Sequence, residues 1–137
     1  MEDFTMTREA YVSFEVAKLL HDKGFVMAIP EWYFVKGELK HHNSVDFLNN
    51  SIDDIIPDCT QQMAMRWLRE AKGLVVLPDY NRRLYWPKPY YFHIYTTDDN
   101  VGRDSDKAPV DPYYKYYFST YEEACEAAIK YCLENLI

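Results

Sequence analysis

Glycine is scarce in this chain, with only four residues among 137. Phosphate-binding loops need several closely spaced glycines, because their backbone must approach the phosphates without an intervening side chain. The sequence contains neither the pattern G-x-x-x-x-G-K-[ST] nor the pattern G-x-G-x-x-G. These two nucleotide-binding motifs are therefore excluded.

Long apolar runs are also missing. No stretch approaches the roughly 20 residues that a transmembrane helix needs. The opening MEDFTMTREAY carries acidic residues where a signal peptide would have its apolar core. The sequence therefore predicts a chain without a membrane span or a secretion signal.

The chain has three cysteines, so at least one thiol has no disulfide partner within it. Cys125 and Cys132 fall on one predicted helix, about 10 Å apart along its axis, which exceeds disulfide reach. We expect all three to be reduced, as in a cytoplasmic protein. Cys59 precedes a predicted helix, whose dipole can lower a thiol pKa, but no cysteine–histidine signature accompanies it.

The four histidines do not suggest a metal site. His41 and His42 are adjacent, so an extended chain points them to opposite sides, and no C-x-x-C or H-x-x-x-H spacing is present. The acidic loop that begins at Asp98 lacks the glycine and the final glutamate that a calcium-binding loop places at fixed positions. The sequence predicts no metal, no cofactor and no catalytic residue.

The net charge is −7 at pH 7, which disfavours nucleic-acid binding because an acidic chain repels phosphates. A hydrophobic content of 48% is ordinary for a folded domain and argues against disorder. Aromatic residues reach 17%, and the chain has 13 tyrosines. Tyrosine suits half-buried strands, because its ring is apolar and its hydroxyl is polar.

Three helices are predicted from N-cap residues, apolar stripes and glycine stops. Their N-caps are Ser13, Thr60 and Thr120, and Glu123 completes a capping box with Thr120. The segment 36–58 predicts a loop with one or two helical turns. Apolar or alternating segments predict strands at 25–29, 32–35, 74–77, 90–97 and 113–118.

This order of elements is typical of an α+β domain. Neighbouring strands joined by loops usually pair antiparallel. We predict one mostly antiparallel sheet of about four to five strands, with about three helices packed mainly on one face. The length indicates a single domain over residues 1–137, with variable segments at about 38–57 and 98–112.

Two short patterns carry a family resemblance: A-x-x-W-L-R-E from Ala64 and Y-E-E-A-x-x-A-A-I-K from Tyr121. With the segment YVSFEVAKLLHDKGF, they resemble a group of small uncharacterised proteins of gut Bacteroides-type bacteria, their phages and integrated mobile elements. The resemblance covers about a third of the chain. It implies a phage or mobile-element accessory protein of the bacterial cytoplasm, and it implies no activity, catalytic residue or cofactor.

The tyrosine-rich strands suggest a binding surface. Segments 90–97 and 113–118 carry aromatic residues on both faces, and helices are expected to cover one face. Tyrosine is enriched in protein interfaces, and its ring can also stack on sugars or bases. We predict a non-enzymatic protein that acts through protein contacts, with homodimerisation through an aromatic sheet face as one form. The candidate interface residues are Tyr91, His93, Tyr95, Tyr114 and Tyr116.

Two other functions stay as alternatives. A helix followed by a hairpin resembles the winged-helix order, so a DNA-associated regulator is the first, although the net charge opposes it. An unrecognised enzyme is the second, and a pocket joining His93 with Asp98 or Glu70 would indicate it. The candidate DNA contacts are Gln61, Gln62, Arg66, Arg69, Arg82 and Arg83.

Overall fold

The computed structural model describes residues 10–27, 30–42, 55–81, 88–97 and 117–137. These residues contain three α-helices: α1 (Phe14–Asp22), α2 (Gln61–Lys72) and α3 (Tyr121–Tyr131). A π-helical turn, Cys132–Leu136, continues α3. The strands are β1 (Trp32–Val35), β2 (Glu38–His41), β3 (Ile55–Asp58), β4 (Leu74–Tyr80) and β5 (Tyr90–Thr96).

Hydroxyl side chains at the predicted N-caps set the helix starts. Ser13 and Thr60 each accept a hydrogen bond from the backbone N–H three residues on. Thr120 and Glu123 exchange two hydrogen bonds of 3.0 Å, which form the predicted capping box. Gly73 ends α2 with a φ of 68°, in the left-handed region that favours glycine. The three predicted helices are therefore confirmed.

The described strands form two sheets. β1 is the centre of a three-stranded antiparallel sheet of order β2–β1–β3, and β4 pairs antiparallel with β5. The α+β class is confirmed, but the prediction of one sheet of four to five strands was wrong. β2 and β3 pair with both sides of β1, whereas β4 pairs with β5 in a separate sheet.

Sequence reasoning missed two strands within the segment 36–58. Lys36 and Gly37 join β1 to β2 as a two-residue turn with φ values of 53° and 81°, which is a hairpin geometry. β3 is only four residues long and contains Pro57, a poor strand former, so its local sequence gives no strand signal.

The predicted strand at 25–29 was also wrong in its described part, 25–27, which has no strand geometry. Phe25 is buried, and its ring packs edge-on against Trp67 of α2 at 5.6 Å. The apolar character of Phe25 therefore comes from its burial in the core after the end of α1.

The main core lies between the three helices and the inner face of the β4–β5 sheet. Large side chains that are fully buried there include Leu20, Leu68, Ile94, Ile129 and Leu133. Burying side chains of this size stabilises by about 1.5–3 kcal/mol each. One consequence is that β5 has a fixed inner face, which sets the positions of the alternate side chains on its outer face.

Candidate functional site

The outer face of the β4–β5 sheet gathers partly exposed aromatic side chains. Burial alternates along β5: Phe92 and Ile94 point into the core, whereas Tyr91, His93 and Tyr95 are half-buried on the opposite side. This placement matches the alternation that the sequence predicts. We define the aromatic face by seven residues: Val75, Leu77, Asp79, Tyr91, His93, Tyr95 and Tyr117.

The rings of the aromatic face contact one another in series. The Tyr91 ring centroid lies 5.1 Å from that of His93 and 5.4 Å from that of Tyr117. His93 stacks on Tyr95 at 5.9 Å. These separations lie in the range of favourable aromatic pairs, so the four rings form one continuous surface over the packed core.

Asp79 contacts two of the rings on this surface. It faces Tyr91 in the β4–β5 register, and its Oδ2 accepts a hydrogen bond from Tyr91 Oη at 3.2 Å. The same Oδ2 lies 3.8 Å from Nε2 of His93, and Oδ1 accepts from the Tyr80 backbone N–H at 2.7 Å. Among the seven residues that define the aromatic face, Asp79 is the one carboxylate, and none is lysine or arginine.

The Tyr91 hydroxyl is held in its protonated form. Burial raises the pKa of Tyr91, and the neighbouring Asp79 carboxylate raises the same pKa further. A protonated phenol donates to the carboxylate, so Tyr91 and Asp79 fix each other's orientation on the outer face.

A second polar cluster lies where α1, α2 and α3 meet. Glu126 of α3 accepts from the Ser13 backbone N–H at 2.9 Å and from Gln61 Nε2 at 3.3 Å. Gln61 Nε2 also donates to the backbone carbonyl of Glu122 at 2.9 Å. Glu126 therefore ties the starts of α1 and α2 to α3, which is a structural role.

Asp58 ends β3 beside this cluster and is only 5% exposed. Its Oδ1 is buried without a hydrogen-bond partner. Burial raises the pKa of Asp58 to about 7; the Cys59 backbone N–H opposes that rise and the charge of Glu126 adds to it. A raised pKa can mark a functional carboxylate, but buried structural clusters produce it as well.

The three cysteines are buried and free. Burial raises the pKa of Cys59 and of Cys132 to about 12, and that of Cys125 to about 11. The suggestion that a helix dipole lowers the pKa of Cys59 was therefore wrong. Burial and the nearby charges of Asp58 and Glu126 outweigh the dipole at this site.

One of the four candidate DNA contacts on α2 is buried, and the other three lie at helical spacing on its exposed face. Gln61 is 5% exposed and donates to α3, so its assignment as a groove contact was wrong. Arg66 is exposed and donates to Glu70 Oε2 at 2.9 Å across one helical turn. Gln62 and Arg69 are exposed on the same helix. Glu70 of the enzyme alternative is thus engaged by Arg66.

Several predicted site residues lie outside the described residues. They are Tyr114 and Tyr116 of the interface set, Arg82 and Arg83 of the DNA set, and Asp98 of the enzyme alternative. The strand predicted at 113–118 is described at its last two residues. There, Phe118 exchanges two backbone hydrogen bonds with Tyr90, at 2.7 and 3.0 Å.

Sequence reasoning did not single out Asp79, Leu77 or Tyr117. Asp79 meets Tyr91 and His93 through the cross-strand register, which no local pattern specifies. The alternation of β4 would have placed Leu77 and Asp79 on one face, but the predicted strand ended at Leu77.

Among the described residues, no group of three or more His, Cys, Asp and Glu side chains is placed to hold a metal ion. No helix in the described ranges combines the length and the apolar character that crossing a membrane requires. In comparisons with protein-family models, curated proteins and solved structures, nothing matches this chain. Inference about function therefore rests on the geometry of the aromatic face.

Proposed function

We propose that this chain is a non-enzymatic accessory protein of a phage or mobile element, and that it acts through protein contacts at the aromatic face. The origin rests on the sequence resemblance alone. The observation that supports the contact surface is the run of adjoining half-buried rings at Tyr91, His93, Tyr95 and Tyr117. Tyrosine is enriched at interfaces because one side chain offers both apolar area and a hydrogen bond.

The rigidity of this face also favours binding. Phe92 and Ile94 anchor β5 in the core. The alternate rings of Tyr91, His93 and Tyr95 therefore have little freedom to move away from the sheet. Asp79 further fixes the Tyr91 hydroxyl. A surface that is already ordered loses less conformational entropy when a partner docks.

Site-specific photo-crosslinking in living bacterial cells tests the proposal. A photoreactive phenylalanine derivative replaces Tyr95 on the aromatic face or, as the matched control, the exposed Tyr80 outside it. We expect discrete protein adducts from position 95 and none of the same mass from position 80. Identical adducts from both positions, or none from position 95, would contradict a working surface at this face.

Sedimentation velocity of the purified chain then identifies one class of partner. A dimer that dissociates in the double variant Tyr91→Ser/Tyr95→Ser, but persists in Tyr80→Ser/Tyr121→Ser, would make a second copy the partner. A monomer at all concentrations assigns the adducts to another protein.

A further inference from the structure

We propose that the aromatic face recognises a basic segment of a partner protein, with an arginine guanidinium held between Asp79 and the neighbouring rings. The inference rests on the proposed function, because it names the class of partner for the same face.

The charge of the face is the first argument. Its seven defining residues include one carboxylate and no lysine or arginine, and the whole chain carries a net charge of −7. A guanidinium pairs with carboxylates through directed hydrogen bonds and also stacks on aromatic rings. Asp79 Oδ2 lies 3.2 Å from Tyr91 Oη, so a cation bound at this carboxylate lies beside an aromatic ring.

Asp79 also has capacity for another donor. Its Oδ1 accepts from the Tyr80 backbone N–H, and its Oδ2 accepts from Tyr91 Oη and lies 3.8 Å from His93 Nε2. A carboxylate offers about four acceptor sites, so these two bonds orient the group without saturating it. The side chain is 55% exposed, which leaves it accessible from solvent.

The size of the face argues for a short segment over a second copy. β4 and β5 are seven residues long each, and two paired strands of that length cover roughly 23 Å by 10 Å. Stable complexes bury about 800 Å² of accessible surface on each partner, which is more than these two strands alone offer. Two identical acidic chains also repel each other, whereas a basic segment is attracted.

A peptide titration followed by NMR tests the inference. The probe is the acetylated and amidated heptapeptide Ser-Arg-Ser-Arg-Ser-Arg-Ser, and its control replaces each arginine by citrulline, which keeps the shape and removes the charge. We expect saturable shifts at Tyr91, His93 and Tyr95 with the arginine peptide, and binding about tenfold weaker with the citrulline peptide. Equal affinity for the two peptides, or no saturable shift, would overturn the inference.

Two matched variants separate a local site from general attraction. Asp79→Asn should weaken the arginine peptide about tenfold, whereas Glu38→Gln, which removes the same charge from the exposed edge strand β2 of the other sheet, should leave it unchanged. Equal weakening by both variants would assign the binding to net charge and overturn the inference. Tyr91→Leu keeps the carboxylate and removes a ring, so we expect about fivefold weaker binding. Unweakened binding by this variant would show that the Tyr91 ring does not contribute to the site, and would contradict the proposal.

The outcome is distinguishable from a failure of the proposed function. Adducts from position 95 together with no binding of the arginine peptide would keep the interaction face and reject the basic partner. No adducts and no binding would reject both. Adducts together with Asp79-dependent binding support both.

Discussion

Asp58 and Asp79 each lie near the end of a strand, in opposite environments. Asp58 is buried, and one of its oxygens has no hydrogen-bond partner. Asp79 is exposed, and both of its oxygens accept hydrogen bonds. The buried carboxylate has the strongly raised pKa, yet its neighbours are groups that hold helices together. The raised pKa of Asp58 therefore comes from its burial within the fold, whereas the recognition role that we propose belongs to the exposed Asp79.

The largest expected effect concerns the thiol beside Asp58. Raising the pKa of Cys59 from 9.0 to about 12 lowers its thiolate fraction at pH 8 about a thousandfold. We expect iodoacetamide to modify Cys59 about a thousand times more slowly in the native chain than in urea. Peptide mapping by mass spectrometry resolves the three cysteines. Rapid modification of Cys59 in the native chain would show that the surroundings of Asp58 and Cys59 are open to solvent.

The next effect is the stability gained by Asp58→Asn. Because the folded-state pKa is raised from 3.8 to about 7, the folded wild type binds the extra proton between these values, and its stability falls as the pH rises through that window. The variant has no charge to bury, so we expect its free energy of unfolding to exceed that of the wild type by about 2–4 kcal/mol at pH 8. Near pH 4 the difference should vanish. Urea unfolding at both pH values measures it, and a loss of stability at pH 8 would contradict the buried-charge explanation.

A third prediction compares two adjacent glutamines at the start of α2. Gln61→Ala removes a buried amide that bonds Glu126 and the carbonyl of Glu122, and should cost about 2 kcal/mol because acceptors stay unsatisfied. The control Gln62→Ala removes an exposed side chain whose hydrogen-bond partner, Tyr121 of α3, is also exposed, and it should cost less than about 0.5 kcal/mol. Urea unfolding at pH 7 distinguishes them, and equal costs would show that the inner cluster does not tie α2 to α3.

The smallest expected effect on stability is at Asp79. Asp79→Asn removes an exposed charge, so we expect the free energy of unfolding to change by less than about 0.5 kcal/mol. Urea unfolding at pH 7 measures the difference, and a change as large as that expected for Asp58→Asn at pH 8 would contradict an exposed Asp79.

Local sequence signals predict the helices well, whereas the sequence signals for strand pairing are weaker. Ser13, Thr60 and Thr120 specify helix starts through bonds to residues three positions away, and such contacts are visible in the sequence. The division into two sheets depends on which strands pair with one another, and pairings such as that of β1 with β3 join segments that are far apart in the sequence. The four-residue β3 with Pro57 illustrates the limit, because its strand geometry comes from its partner in the sheet.

The candidate site divides in the same way. The alternation of side chains along β5 is enough to predict that Tyr91, His93 and Tyr95 share one face of the sheet. Asp79 joins them through register across the sheet, and Gln61 leaves the exposed set because α3 packs over it. In both cases the deciding contact comes from another element, so the sequence immediately around each residue does not reveal its environment.

Pro78 lies within β4, opposite Phe92. The flanking bonds from Thr97 N to Gly73 O and from Asn81 N to Pro89 O fix the alternation of the ladder, so position 78 directs its backbone nitrogen to the edge away from β5. Among the described strands, β4 pairs with β5 alone, and proline leaves that outer edge without a donor near its middle. An incoming strand would lose a hydrogen bond there. The outer edge of β4 is therefore a poor template for the edge-to-edge strand pairing from which fibrils grow.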